Sequence, residues 1–209
     1  MKLFFSQLCL NPRCMQVLKE MDNRYELHRT LMKAFPEAEK GGPGRVLFRV
    51  EGTGKFGECS ILIQSEKCPN WNKITVPDDY FSIPPRFKEV ELYFNKGEKY
   101  RYRILANPTI KRNGTRLGII DDSEQSNWLK RKAENGGFEV ISELHTPMGF
   151  IRGQKGEKPI TLSFYGVQFD GILRVREPQT FMATLKSGVG TAKGLGFGLL
   201  SLARVNGKV

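Results

Sequence analysis

Two side chains able to handle a proton stand three residues apart in the stretch Asn23–Phe35. They are Tyr25 and His28, with Arg24 before them and Arg29 behind. Residues at that spacing share one face of a helix, about a turn from each other. An imidazole titrates near neutrality and can take or give a proton, and guanidinium groups grip phosphate with two parallel hydrogen bonds. The set suits a reaction at a phosphate ester in which a proton must be moved. A structural reading competes with it: His28 as a half-buried helix histidine and Tyr25 as a packing residue, because helical stripes usually build cores.

The element that must carry these groups is an amphipathic helix over Asn23–Phe35. Leu27, Leu31 and Ala34 recur at i, i+4 and i+7 and form its apolar stripe. Asn23 is the expected N-cap, and Glu26 completes a variant of the capping box. A strand over Lys2–Leu10, broken at Asn11-Pro12, and a short helix around Met15–Lys19 precede it. A hairpin follows, Arg45–Glu51 returning as Ser60–Gln64, with Val46, Phe48 and Val50 on one face and a turn at Gly52–Lys55. Pro69, Pro77, Pro84 and Pro85 make Ser65–Lys88 irregular, a degenerate helix at most, before a strand at Val90–Phe94.

The same order then recurs. Lys99–Ala106 alternates as a strand, Lys111–Arg116 is a basic loop, and Asp121–Asn135 is a helix closed by Gly136-Gly137. Phe138–Leu144 is a strand and His145–Pro159 a glycine-punctuated loop bearing Arg152, Lys155 and Lys158. Ile160–Val175 is one long bent strand or a pair, with Gly166 and Gly171 as bulges. A helix at Glu177–Lys186 and a strand at Leu199–Val205 complete the chain. Two runs of β-α-β-β-α-β predict an α+β fold of tandem ferredoxin-like (RRM-like) domains, residues 1–96 and 97–209, with no sequence repeat between the halves.

Composition narrows the partner. Thirty-three basic against 22 acidic residues leave a net charge of +11 over 209 residues, which points to a polyanion, most often nucleic acid. No apolar run nears the roughly 20 residues of a membrane span, and the first apolar run is too short for a signal peptide. The four cysteines form no C-x-x-C pair and only two histidines are present, which argues against a zinc site. Reduced thiols in a cytoplasmic protein, with no metal and no other cofactor, are the expectation.

Ser187–Leu200 is the other stretch with chemical potential. Its glycines follow a helix and lead into a strand, opposite to a dinucleotide fingerprint, and Lys193 precedes Gly194 rather than Ser or Thr, unlike a P-loop. What remains is close backbone approach, either to an anion held by glycine amides beside Lys193 or to another stretch of chain, or else a plain tight connection.

Read as G-V-G-x-x-K-x-L-G-x-G-L-L-S-L-A from Gly188 to Ala203, this stretch resembles the C-terminal signature of the CRISPR-associated RAMP endoribonucleases. More narrowly, it is similar to that of the CasE subfamily of type I-E systems. N-R-Y-E-L-H-R-T-L at Asn23–Leu31, Y-R-I-L-A-N-P-T-I-K at Tyr102–Lys111 and F-Y-G-V-Q-F-D-G at Phe164–Gly171 agree in order and spacing.

The resemblance implies a metal-independent nuclease that cuts CRISPR repeat RNA at the base of its stem-loop. The 2′-OH would attack the adjacent phosphate, leaving a 2′,3′-cyclic phosphate and a 5′-OH, and the mature RNA would be retained. It implies His28 as the acid/base group and Tyr25 as the residue that orients phosphate or imidazole. The RNA-binding candidates are Arg24, Arg29, Lys111, Arg112, Arg152, Lys155, Lys158, Lys193, Gly188, Gly190 and Gly194. The implied partners are the repeat RNA and other Cascade subunits, with no membrane and no DNA contact expected from this subunit alone. No RRM aromatic code is present, which favours recognition of stem shape and phosphate. His145 is expected to be structural. A non-catalytic RNA-binding subunit is the main alternative, and a Cys-His hydrolase using Cys9 or Cys14 the weaker one, since it leaves +11 unexplained.

Overall fold

The alternation at the start of the chain becomes β1 (Lys2–Leu10), whose even-numbered Leu8 and Leu10 are fully buried. The computed structural model describes residues 1–37, 41–53, 59–155 and 160–205. The chain separates into two compact units. One is Met1–Leu92 with Arg152–Ser163 and Gly194–Gly196, and the other is Tyr93–Ile151 with Phe164–Lys193 and Phe197–Val209. No helix among the described residues is long and apolar enough to cross a membrane.

In the first unit β1 is followed by α1 (Met15–Asp22), α2 (Arg24–Met32), β2 (Val46–Thr53), β3 (Cys59–Ser65) and β4 (Phe81–Glu91). The sheet order is β2-β3-β1-β4, with antiparallel neighbours and registers such as Leu8↔Ile61 and Phe48↔Ile63. Leu27, Leu31 and Ala34 close over Leu8, Phe48, Ile61 and Ile63 as the expected stripe. Each of the buried Leu, Ile and Phe side chains contributes roughly 1.5–3 kcal/mol through burial. β2 is covered on both faces, because Leu47 and Arg49 are also buried, Arg49 against Glu51 at 2.9 Å.

Two expectations need correction here. Regular helix stops at Met32 rather than Phe35. Pro36 disfavours helical backbone just before it, so Ala34 and Phe35 pack inward from turns that bond back to Leu31 and Met32. The last strand of the unit is Phe81–Glu91 rather than Val90–Phe94, and it contains Pro84 and Pro85. It tolerates them because β4 is an edge strand. The register steps from Gln7↔Arg86 to Cys9↔Ile83, so the two prolines face the single residue Leu8 as a bulge. The second crossover holds only a 3₁₀ turn, Trp71–Lys73, whose indole meets Phe35 edge-on at 5.9 Å.

The second unit runs β5 (Lys99–Ala106), β6 (Thr109–Arg112), β7 (Thr115–Gly118), α3 (Asp122–Asn135), β8 (Phe138–Lys155), β9 (Ile160–Val175), α4 (Pro178–Ser187) and β10 (Leu200–Arg204). Its sheet order is β10-β5-β9-β8, so both sheets place their four strands fourth-first-third-second, the ferredoxin-like arrangement. Asp121 caps α3 by accepting the Glu124 N–H at 2.9 Å, and Trp128, Leu129 and Ala133 are buried beneath it. Trp128 stacks on Phe169, and Phe181 of α4 meets Phe94 and Phe138 edge-on.

Three further corrections belong to this unit. The basic loop Lys111–Arg116 is the β6–β7 hairpin, turned at Asn113 (φ 48°) and Gly114 (φ 79°), the backbone that an Asn-Gly pair favours. β8 does not end at Leu144 but runs to Lys155, tolerating Pro147 because it too lies at a sheet edge. Gly171 is no bulge in the β5–β9 ladder, whose register is unbroken through Tyr102↔Gly171. It is glycine because a Cβ there would sit 1.9 Å from the Ser142 carbonyl oxygen.

Candidate active site and nucleic-acid interface

The corner between α1 and α2 builds the site. The chain leaves helical geometry at Asn23 (φ −120°, ψ 90°), whose Oδ1 accepts the Tyr25 N–H at 3.2 Å. The capping box is not closed: the Glu26 carboxylate pairs with Arg29 at 3.0 Å instead of reaching back. From this start, Tyr25 and His28 emerge on one face and line an open cleft of about 700 Å³ with Gln16 and Lys19 of α1, Arg29 of α2 and Lys33 beyond it.

Neither reactive side chain is committed elsewhere. Among the described residues, no hydrogen-bond partner meets the Tyr25 hydroxyl or the His28 ring. Among the described residues the imidazole is held by packing. It lies nearly parallel over Phe48, centroids 6.2 Å apart, and a Cβ added to Gly194 would come within 3.8 Å of its Nε2. Partial burial lowers the His28 pKa from its ordinary value because the charged form loses solvation. At neutral pH the ring is therefore uncharged and offers a lone pair to a proton.

In the wall of the cleft, a buried carboxylate ties the two helices together. Glu20 accepts from Thr30 Oγ1 at 2.7 Å, from Gln16 Nε2 at 2.8 Å and from the Tyr80 hydroxyl. Burial foremost, and then this bond, push the Tyr80 phenol well above its usual range. Three donors meet the need of a carboxylate that is 3% exposed. No sequence signal marked it, since Glu20 and Tyr80 stand 60 residues apart.

The other candidates are dispersed. Arg24 is not part of the cleft: its guanidinium rests on Met21 Sδ at 3.6 Å, and burial lowers its pKa. Arg29 is exposed in its pair with Glu26, an arrangement worth under about 1 kcal/mol. Lys111 and Gly190 come together in the second unit, where they line a cleft of about 160 Å³ with Arg116, Lys132 and Thr191. The Thr191 hydroxyl there has no hydrogen-bond partner among the described residues. Arg112 is drawn to Glu124 at 3.5 Å. Gly188 terminates α4 at φ 76°, and its N–H is spent on the Thr184 carbonyl, so it has none to offer an anion. Lys193 opens a 3₁₀ turn, Lys193–Leu195, and is half-buried. Arg152 is exposed on β8, while Lys158 and the Lys155 side chain lie outside the described residues.

Sequence reasoning missed Lys19, Lys33, Arg116 and Lys132. Lys33 is five residues past His28, off the i+3 and i+4 positions, and Lys19 reaches the cleft only because the chain turns at Asn23. The Asn113-Gly114 hairpin signal was the available clue to Arg116. Among the described residues no three His, Cys, Asp or Glu side chains gather as a metal site requires.

A profile of the family described as "CRISPR associated protein" matches residues 3–204. The chain is 32% identical to the CRISPR-associated endoribonuclease Cse3 of Thermus thermophilus, over 96% of this chain and 100% of that protein. It is 29% identical to the CRISPR system Cascade subunit CasE of Escherichia coli, over 86% of this chain and 91% of the relative. Its fold matches the structure of Thermus thermophilus Cse3 bound to an RNA representing a pre-cleavage complex. That match has a TM-score of 0.84 and 30% identity, covering 97% of this chain and 100% of the other.

Proposed function

Because the chain belongs to the CRISPR-associated protein family, among relatives named Cse3 and CasE, we propose that it is a metal-independent endoribonuclease of CRISPR repeat RNA. It cuts the repeat at the base of its stem-loop and keeps the mature RNA, working in the cytoplasm with other Cascade subunits. The observation that carries this reading is the pairing of Tyr25 and His28 in one open cleft, both without protein hydrogen-bond partners among the described residues.

The chemistry uses what the cleft offers. The ribose 2′-OH attacks the adjacent phosphorus, the P–O5′ bond breaks, and the products carry a 2′,3′-cyclic phosphate and a 5′-OH. A proton must leave the 2′-oxygen and another must reach the 5′-oxygen. Neutral His28 acts at one end of that transfer, a role worth roughly 10²–10⁴ in rate. The Tyr25 hydroxyl donates to a phosphate oxygen or orients the imidazole. Lys19, Arg29 and Lys33 line the same cleft and supply positive charge to the phosphorane. The stem is gripped elsewhere, by Arg152 with Lys155 and Lys158 and by the cationic cleft of Lys111, Arg116 and Lys132 at Gly190. Arg112, Lys193 and Gly194 are further candidates for backbone contact, whereas Gly188 has spent its N–H on Thr184. Phosphate contacts of this kind give shape recognition and steep salt dependence.

The test is incubation, in excess EDTA, with a hairpin repeat RNA and a twin carrying one 2′-deoxy sugar at the cut site. Cutting of the ribose substrate alone supports the reading. Cutting of the deoxy twin overturns the mechanism, and tight binding without any cutting makes the protein an RNA-holding subunit.

A further inference from the structure

Asn23 does more than cap a helix. Its side-chain amide lies alongside Gln154 as a strand would: Oδ1 accepts the Gln154 N–H at 2.9 Å while Nδ2 donates to the Gln154 carbonyl at 3.3 Å. The same Oδ1 also takes the Tyr25 N–H. One side chain therefore binds the first turn of α2 to the far end of β8, across 131 residues of sequence. The neighbouring Gly153 keeps the junction tight, since a Cβ there would lie 2.7 Å from Leu195 Cδ2 and 3.6 Å from the Tyr25 Cβ. Leu195 follows Gly194, the residue beneath His28. Three segments thus meet at one point: the helix bearing Tyr25 and His28, the β8 end bearing Arg152, and the glycine loop.

We infer that Asn23 is a positioning residue that fixes the β8 end against α2, so that RNA held by that end presents its scissile phosphate to Tyr25 and His28. The inference rests on the nuclease reading above and adds to it a division between holding and aligning. Asn23 touches no substrate; it acts through Gln154 and Tyr25. Losing the bridge leaves Arg152 on the strand, so binding survives while alignment suffers. A misplacement of about 1 Å at a reacting centre costs on the order of a hundredfold.

Asn23→Ser separates the two duties. A serine hydroxyl still caps the Tyr25 N–H, because Ser and Asn are comparable N-caps, but it has no second group to complete the pairing with Gln154. The measurements are single-turnover cleavage at saturating repeat RNA, binding of the uncleavable 2′-deoxy twin, and hydrogen exchange at the Gln154 amide. The expected result is a saturating rate lowered roughly ten- to a hundredfold, with a dissociation constant within about threefold and faster Gln154 exchange. Asn23→Asp keeps both acceptor bonds but sets a carboxylate oxygen against the Gln154 carbonyl where the amide donated, so its saturating rate is expected to fall as well, with the cap on Tyr25 retained. An unchanged saturating rate in Asn23→Ser overturns the inference. So does weakened binding with a normal saturating rate, which would make Asn23 part of the grip. A wild-type protein that cuts nothing overturns the nuclease reading and this inference with it.

Discussion

The two histidines of this chain occupy opposite kinds of site, and the contrast separates a side chain that is available from one that is used up. His145 is engaged by its neighbours: its Nε2 lies 3.4 Å from Ser126 Oγ and 3.6 Å from the Glu143 carboxylate, and its ring meets Phe169 edge-on at 4.8 Å. His28 has a rigid seat made of Phe48 and Gly194 but, among the described residues, no polar partner. A half-buried imidazole without a partner is a cost to folding, and that cost makes sense where a substrate supplies the missing bond.

The sharpest way to break the comparison is to remove each ring. On the proposed mechanism, His28→Ala lowers the single-turnover rate by roughly 10²–10⁴ with the protein still folded and binding RNA. His145→Gln leaves the rate within about twofold, and its effect appears in the melting temperature, since it disturbs a satisfied structural contact. Equal rate losses in the two variants would erase the distinction. Tyr25→Phe comes next: one hydrogen bond to a charged group is lost, a change of roughly ten- to a hundredfold in rate, with no loss of stability because the hydroxyl has no partner among the described residues.

How much of this was readable beforehand depends on whether the information was local. The face shared by Tyr25 and His28 follows from a spacing of three, and β5 and α3 follow from alternation and from the Gly136-Gly137 stop. β4 and the far half of β8 did not, because Pro84, Pro85 and Pro147 signal a break, whereas an edge strand can spare the N–H that proline lacks. Lys19 and Glu20 belong to the cleft through a helix corner, and Gln154 reaches Asn23 through the length of β8. No window along the chain contains Asn23 and Gln154, and no helical period relates Lys19 to His28 across the turn at Asn23. Arg24 shows the converse: adjacent to Tyr25 in sequence, it packs on Met21 because neighbours on a helix face different ways.

The pH profile sharpens the account of His28 further. Its folded pKa lies below the ordinary value of about 6.5. On the proposed mechanism with His28 as the base, the ring stays unprotonated until the pH drops through that lowered value, so the acid limb of the cleavage rate is expected below pH 6.5. A limb centred above 6.5 would contradict the solvation argument. Stability has the matching sign: the unfolded chain binds this proton more readily, so folding is weakened as the pH falls from about 6.5 towards the folded value. His28→Ala should flatten that part of the stability curve.

The smallest effects discriminate within the glycine loop, where freedom of backbone and closeness of approach are separable. Gly196 sits at φ 92°, and a Cβ there would come 3.1 Å from the Phe48 ring that seats His28. Gly196→Ala therefore meets both strain and crowding, and a loss of roughly 1–2 kcal/mol is expected from the left-handed backbone alone. Gly194 carries no positive φ, and its added Cβ would rest at ordinary distance, 3.8 Å, from the His28 ring. Gly194→Ala should therefore change stability by less than about 0.5 kcal/mol. If phosphate is clasped by this loop at Gly194, the alanine stands in its way, and repeat-RNA affinity falls while the melting temperature holds. If Gly194 serves only to let the chain pass beneath His28, neither quantity moves.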